Sequence, residues 1–491
     1  MNMLQIDFNK LADLFQYHAN APMLFNSGLF LWLFLGFSCL YVILRPHHRA
    51  KVIFVTLFSL YFYYKSSGWY FLLLVLATVV DYVLGWFIYD AEQRFYKRVW
   101  MIINLVLNLG LLAYFKYTNF FYEAWTQWTH EPFNPLPIFL PVGVSFYTFQ
   151  SLSYTIDIYR GEIKPVKSIL DYAFFVSFFP QLVAGPIVRA KDFIPQLYRP
   201  VVVTPEQFGR AIFLIGSGMF KKVIISDYIS INFVDRIFDN PTLYSGLENL
   251  FGVYGYALQI YCDFSGYSDM AIGIALLLGF QYPINFDSPY QSRNVTEFWR
   301  RWHISLSSWL RDYLYISLGG NRKGTFRTYF NLFMTMVLGG LWHGAAWRFI
   351  LWGMLHGGAL VVHRFFRSYF SVGNFPLPRL LAQVLTFHFV CFCWIFFRAD
   401  SMEIAREVLT QIATQFKPEI FTEFVLGYQN VLLVMVLGYF LHFIPRSVEL
   451  QAEGLVTRLP LVGKLAWLLG VIILMTQVQS AEVQPFIYFQ F

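Results

Sequence analysis

The sequence predicts an all-α protein that crosses a membrane many times. Of its 491 residues, 57% are hydrophobic and 13% charged, whereas a soluble domain carries about 25% charged residues. Apolar runs of spanning length recur along the whole chain. The basic residues, which give a net charge of +7, gather at the ends of those runs, where they set topology. A nucleic-acid partner is therefore not expected, and membrane lipid is.

Taken in order, the runs 28–44, 69–89, 99–115, 169–185, 211–226, 249–262, 328–342, 346–362, 380–397, 427–444 and 461–478 read as spans. Runs at 52–64, 138–156 and 270–282 are short or interrupted and read as tilted or re-entrant. A span needs about 20 residues, so the expectation is roughly 11 membrane helices plus re-entrant pieces. They form one membrane domain over 1–491. Arg45, Arg49 and Lys51 follow the first run, and Arg94, Lys97 and Arg98 follow the run 69–89, the third when 52–64 is counted. Both loops read as cytoplasmic, which places the N-terminus outside. No cleavable leader is evident. The 55 Phe, 32 Tyr and 14 Trp exceed what interfacial belts use, so many must line helix contacts or a cavity. The four cysteines read as buried free thiols, and no metal site is expected.

The segment 287–327 differs in kind. Phe298, Trp302, Leu306, Trp309, Tyr313 and Ile316 recur at steps of three and four, with Arg300, Arg301 and Arg311 off that face. This pattern predicts a helix at the cytoplasmic interface, capped at Asn294 with Glu297 three residues on and ending before Gly319-Gly320.

Two histidines stand in tryptophan-rich, apolar surroundings. His343 ends a span inside Gly339-Gly340-Leu341-Trp342-His343-Gly344. Neutral imidazole moves protons near pH 7, so His343 is a candidate general base. The bland alternative is a buried histidine bonded to a carbonyl. His303 can stabilise charge on a reacting carbonyl or merely anchor the interface. Asp263 and Asp269 flank Phe264-Ser265-Gly266-Tyr267, read as a broken element. Pairing with arginines of 293–311 is the plain expectation. Coupling groups of a proton-driven transporter are the sharper one, but that needs inverted repeats and none is found. The end of the chain, Phe486-Ile487-Tyr488-Phe489-Gln490-Phe491, is either an aromatic anchor or a tail bringing the Tyr488 hydroxyl to a cavity. Walker, GxSxG and HExxH motifs are missing, so ATP hydrolysis, serine hydrolysis and zinc proteolysis lack local support.

Taken together, certain motifs carry a resemblance. They are Phe298-Trp-Arg-Arg-Trp-His-Ile-Ser-Leu-Ser307, Trp309-Leu-Arg-Asp-Tyr313, Gly319-Gly-Asn-Arg-Lys-Gly324, Leu338-Gly-Gly-Leu-Trp-His-Gly-Ala345 and Tyr261-Cys-Asp-Phe-Ser-Gly-Tyr-Ser-Asp269. The chain resembles the membrane-bound O-acyltransferase family, in its bacterial alginate-acetylating branch, over about residues 25–360 and the 480–491 tail. Cys262 stands where that branch is expected to have Phe. The resemblance implies helices around a central tunnel, in a multi-pass protein of the bacterial inner membrane. It makes His343 the essential histidine and His303 the second polar group of the site, with Tyr488 a covalent relay. Arg300, Arg301 and Arg322 would meet donor phosphates. Trp302, Arg311, Asp312, Asn321, Trp342, Asp263 and Asp269 complete the expected substrate site. It also implies acetyl-CoA as donor substrate, no tightly bound cofactor and an SGNH-type transferase as partner. An exported polysaccharide such as alginate is the final acceptor. Transfer of acyl or D-alanyl groups to a lipid or teichoic acid keeps the same fold with another acceptor.

Overall fold

The computed structural model describes residues 8–19, 22–369 and 377–478. The 480–491 tail, Tyr488 included, lies outside the described residues. Helices joined by turns and irregular stretches make up what is described, with no strand among these residues. Among the described residues, five helical stretches are long and apolar enough to cross a membrane: His48–Asp90, Arg94–Thr129, Trp347–Ser368, Arg379–Arg398 and Leu461–Val478. Pro418–Gly427 with Gln429–Phe443, bent by 93°, makes a sixth if the pair is one span. Large apolar side chains such as Trp32, Leu433 and Val462 are exposed, as suits contact with lipid rather than water.

The chain divides into two compact units, Met1–Val203 with Ile274–Tyr282, and Thr204–Gly273 with Pro283–Phe491. In the first, phenylalanines carry the core. Phe179 packs edge-on against the rings of Phe37 and Phe58, at 5.6 and 5.1 Å. The buried Asp81 carboxylate accepts from the side-chain amides of Asn104 and Asn108, both at 2.6 Å, which offsets the cost of burying it. Two expectations change here. The run 169–185 is broken into Ile169–Ser177 and Phe179–Leu182, because Phe178 leaves the helical region (ψ 112°) and Pro180 lacks a backbone N–H. The run 99–115 continues to Thr129, well past its apolar part. Cys39 is exposed and the other three cysteines are buried. Cys39 sits on a helix, Gly28–Leu44, that leaves much of its apolar surface outward.

The second unit holds the motifs that carry the family resemblance. Its first helix, Pro205–Met219, starts at a capping box of Thr204 and Gln207 and continues as a π-helix over Phe220–Asp227. The helix Gly246–Leu277 is continuous for 32 residues. The expected break at Asp263–Asp269 is not there. Gly266 serves instead for close packing: a Cβ on it would stand 2.7 Å from the Gly218 carbonyl oxygen, so backbone meets backbone.

The 287–327 segment keeps its predicted cap and loses its predicted continuity. Asn294 Oδ1 accepts from the Glu297 N–H at 2.8 Å. Helix Val295–Arg301 then stops, Trp302 is extended, and His303 is left-handed at φ 42° and ψ 56°. The chain resumes as Ile304–Trp309 and a π-helical turn, Leu310–Tyr315. The apolar face is still buried at Phe298, Trp302, Leu306, Trp309 and Tyr313, but Ile316 is exposed.

Candidate active site

His343 is placed by glycines. Helices Thr325–His343 and Trp347–Tyr369 touch through their backbones. A Cβ on Gly340 would lie 2.2 Å from the Phe349 carbonyl oxygen, and one on Gly353 would lie 2.5 Å from that of Met336. That contact fixes where the first helix ends, and His343 is its last residue. The ring is 4% exposed. Trp342, Trp352 and Phe397 surround it, with centroids 5.0, 5.1 and 5.2 Å away. Three faces of aromatic carbon leave little room for bulk water around the imidazole.

His303 is fully buried and sits at the break itself. A left-handed, non-glycine residue costs on the order of 1–3 kcal/mol and persists only where its surroundings hold it. Asn285 does the holding. Its Oδ1 lies 3.2 Å from His303 Nδ1 and 2.9 Å from Ser305 Oγ, while its carbonyl accepts the Ile304 N–H at 2.9 Å. An amide oxygen only accepts, so Nδ1 donates and Nε2 keeps the lone pair. The ring of Phe264 meets His303 edge-on at 4.5 Å.

The two histidines border one aromatic cluster. Trp302, next to His303, lies 5.0 Å from Trp394, and Trp394 lies 5.2 Å from Phe397, which contacts His343. Trp342 is buried with its neighbour.

Sequence reading passed over two further histidines. His356 is fully buried, accepts the indole N–H of Trp299 on Nδ1 at 3.3 Å, and lies 4.8 Å from Trp352. It thus stands one ring away from His343. His442 is buried, and its Nε2 accepts the Tyr290 N–H at 3.1 Å. Both interrupt long apolar runs, Trp352-Gly-Met-Leu-His356 and Val436-Leu-Gly-Tyr-Phe-Leu-His442. A polar residue inside such a run is the signal that would have found them.

The charged residues sort differently from expectation. Asp263 and Asp269 do not pair with arginines of 293–311. Lys222, buried on the π-helix, contacts Asp263 and also Asp227, the latter at 2.7 Å. Lys221 pairs with Asp269 at 2.8 Å. The reason is the unbroken helix, which keeps both aspartates facing the lysine-bearing segment. Arg301 is engaged by Glu297 at 2.9 Å and Asp287 at 4.0 Å. Arg311 pairs with Asp312 at 2.6 Å, a hydrogen bond that raises its pKa further. Asn321 and Arg322 are exposed on the turn after Gly320. Arg300 has another setting. With His363 and Arg367 it lines a cavity of about 490 Å3, where Thr296 Oγ1 bonds His363 Nδ1 at 2.9 Å. Trp299, the neighbour of Arg300, joins this basic cavity to His356 and through Trp352 to His343.

The sequence model of the MBOAT, membrane-bound O-acyltransferase family, matches residues 143–404, a stretch that contains both histidines. The chain belongs to this family. Peptidoglycan O-acetyltransferase of Helicobacter pylori is 39% identical over 417 residues, covering 79% of each chain. Probable alginate O-acetylase AlgI of Pseudomonas aeruginosa is 43% identical over 394 residues, covering 78% of this chain and 73% of its own. More distantly, Teichoic acid D-alanyltransferase of Bacillus subtilis is 32% identical over 288 residues, 55% of this chain and 70% of its own. As an MBOAT protein the chain is a multi-pass membrane O-acyltransferase.

Proposed function

We propose that this enzyme moves an acetyl group from cytoplasmic acetyl-CoA across the bacterial inner membrane for O-acetylation of an exported polysaccharide. The observation that carries the reading is a buried histidine at a helix end, enclosed by tryptophans and linked through Trp352, His356 and Trp299 to a basic cavity. The acceptor class rests on the relatives named for alginate and peptidoglycan, both exported polysaccharides.

In this mechanism Arg300, Arg367 and His363 hold the donor's phosphates by charge-assisted hydrogen bonds. The thioester arm passes along Trp299 to the aromatic enclosure. His343 takes the proton of the acceptor hydroxyl as its oxygen attacks the thioester carbonyl. The tetrahedral oxyanion collapses, the C–S bond breaks, and the departing thiolate takes that proton back from the imidazolium. His303, held in one orientation by Asn285, orients the donor by accepting one of its N–H groups on the Nε2 lone pair. The acceptor hydroxyl on the protein is that of Tyr488. Its ordinary pKa of about 10 makes an adjacent base necessary near neutral pH. The acetyl ester then passes to an SGNH-type transferase outside the membrane.

Two experiments test the donor and the relay. Changing Arg300 and Arg367 together to glutamine is expected to raise the KM for acetyl-CoA by roughly 10- to 100-fold with little change in kcat, because two charge-assisted contacts are lost. An unchanged KM would move the phosphates elsewhere. Tyr488→Phe should stop acetylation of the polysaccharide while donor binding persists. A fully active phenylalanine variant would reduce the tail to an anchor.

A further inference from the structure

Apart from the histidine cluster, the second unit contains a half-open cavity of about 630 Å3, within the 300–1,000 Å3 or so of ligand pockets. Its walls are apolar, with Phe213, Phe220, Leu441, Trp467, Val471 and Leu474 prominent. Trp467, Val471 and Leu474 belong to Leu461–Val478, a helix apolar enough to span the membrane, so lipid has access to it.

The polar lining groups are few and specific. His442 is 3% exposed. Because its Nε2 accepts the Tyr290 N–H, its Nδ1 carries the proton, and this buried N–H has no hydrogen-bond acceptor among the described residues. It calls for an acceptor oxygen on whatever fills the cavity. The charged lining consists of Lys221, Asp269, Glu449 and Glu453. Lys221 balances Asp269 at 2.8 Å, and Arg210 reaches Glu453 at 3.5 Å. Glu449, exposed at the rim, leaves the lining with surplus negative charge. The complement is an apolar chain, an acceptor oxygen and a cation in one molecule.

We infer that this cavity binds a membrane phospholipid with a cationic amine headgroup, of the phosphatidylethanolamine class. One acyl chain lies along Trp467, Val471 and Leu474. An ester or phosphate oxygen accepts from His442 Nδ1, and the ammonium faces Glu449. His442 also holds the backbone of Tyr290, whose hydroxyl accepts the Trp394 indole N–H at 3.2 Å. The lipid therefore braces a turn that abuts the aromatic cluster of the active site.

The test is native mass spectrometry of the full chain released from nanodiscs of equal phosphatidylethanolamine and phosphatidylglycerol. Wild type should retain phosphatidylethanolamine over phosphatidylglycerol by about fivefold, as one partly screened charge contact provides. Glu449→Gln should bring the two lipids to parity. Gly470 lines the cavity, and a Cβ there meets nothing within 4 Å, so a side chain can start there, and Gly470→Trp, which places an indole in the lipid's space, should abolish retention. Equal retention of both lipids by wild type would overturn the proposal. So would preference for phosphatidylglycerol, retention of detergent alone, or undiminished lipid on monodisperse Gly470→Trp protein. The readout is bound lipid rather than acyl transfer, so it stands or falls separately from the reaction proposed above.

Discussion

Replacing His343 with alanine is expected to lower acetyl transfer by about 100- to 10,000-fold, the contribution of a positioned general base. The change removes the imidazole that Trp342, Trp352 and Phe397 enclose. The glycine contacts between Thr325–His343 and Trp347–Tyr369 are backbone contacts and survive it. Membrane insertion and elution of the purified protein should therefore match wild type. His343→Phe separates packing from chemistry, since it refills the enclosure with a ring that takes no proton. The assay is acetyl transfer and free thiol release in proteoliposomes supplied with acetyl-CoA. Normal turnover by either variant would remove His343 from the reaction.

The second large effect is on stability. Lys222 is 3% exposed and contacts two carboxylates, Asp227 and Asp263, themselves largely buried. Lys222→Met leaves both carboxylates without their cation, and breaking a buried ion pair in this one-sided way costs about 3–5 kcal/mol. Lys221 is more accessible and faces one carboxylate, Asp269, so Lys221→Met should cost less. Thermal unfolding in detergent, followed by tryptophan fluorescence, reads the difference. The double change Lys222→Met with Asp263→Asn should recover part of the loss. If Lys222→Met unfolds like wild type, the buried cluster is not what holds Gly246–Leu277 to the π-helical segment.

How much of this was legible in the sequence follows from which signals are local. Composition and apolar runs were sufficient for an all-α membrane protein, because burial against lipid demands them residue by residue. The Asn294 cap was legible because a cap is a three-residue motif. The break at Trp302-His303 was not. The apolar residues keep helical spacing straight through it, and the left-handed turn at His303 is imposed by Asn285, 18 residues earlier. The reverse error occurred at Asp263–Asp269. Two aspartates, a serine and a glycine suggested a broken helix, yet the close approach of Gly218 and the lysines at 221 and 222 satisfy the segment in helical form. His343 announced itself through its glycines and tryptophan. His356 and His442 did not, because the partners that give them meaning, Trp299 and the Tyr290 backbone, are 57 and 152 residues away.

The central claim is acetyl transfer to an exported polysaccharide through His343. It is tested most directly by the O-acetyl content of the exported polysaccharide in a strain lacking this gene, complemented with wild type or with His343→Ala. The account predicts that acetyl is lost in the deletion strain, restored by wild type and not restored by the variant. Unchanged acetyl content in the deletion strain would contradict the acceptor, and full restoration by His343→Ala would contradict the mechanism.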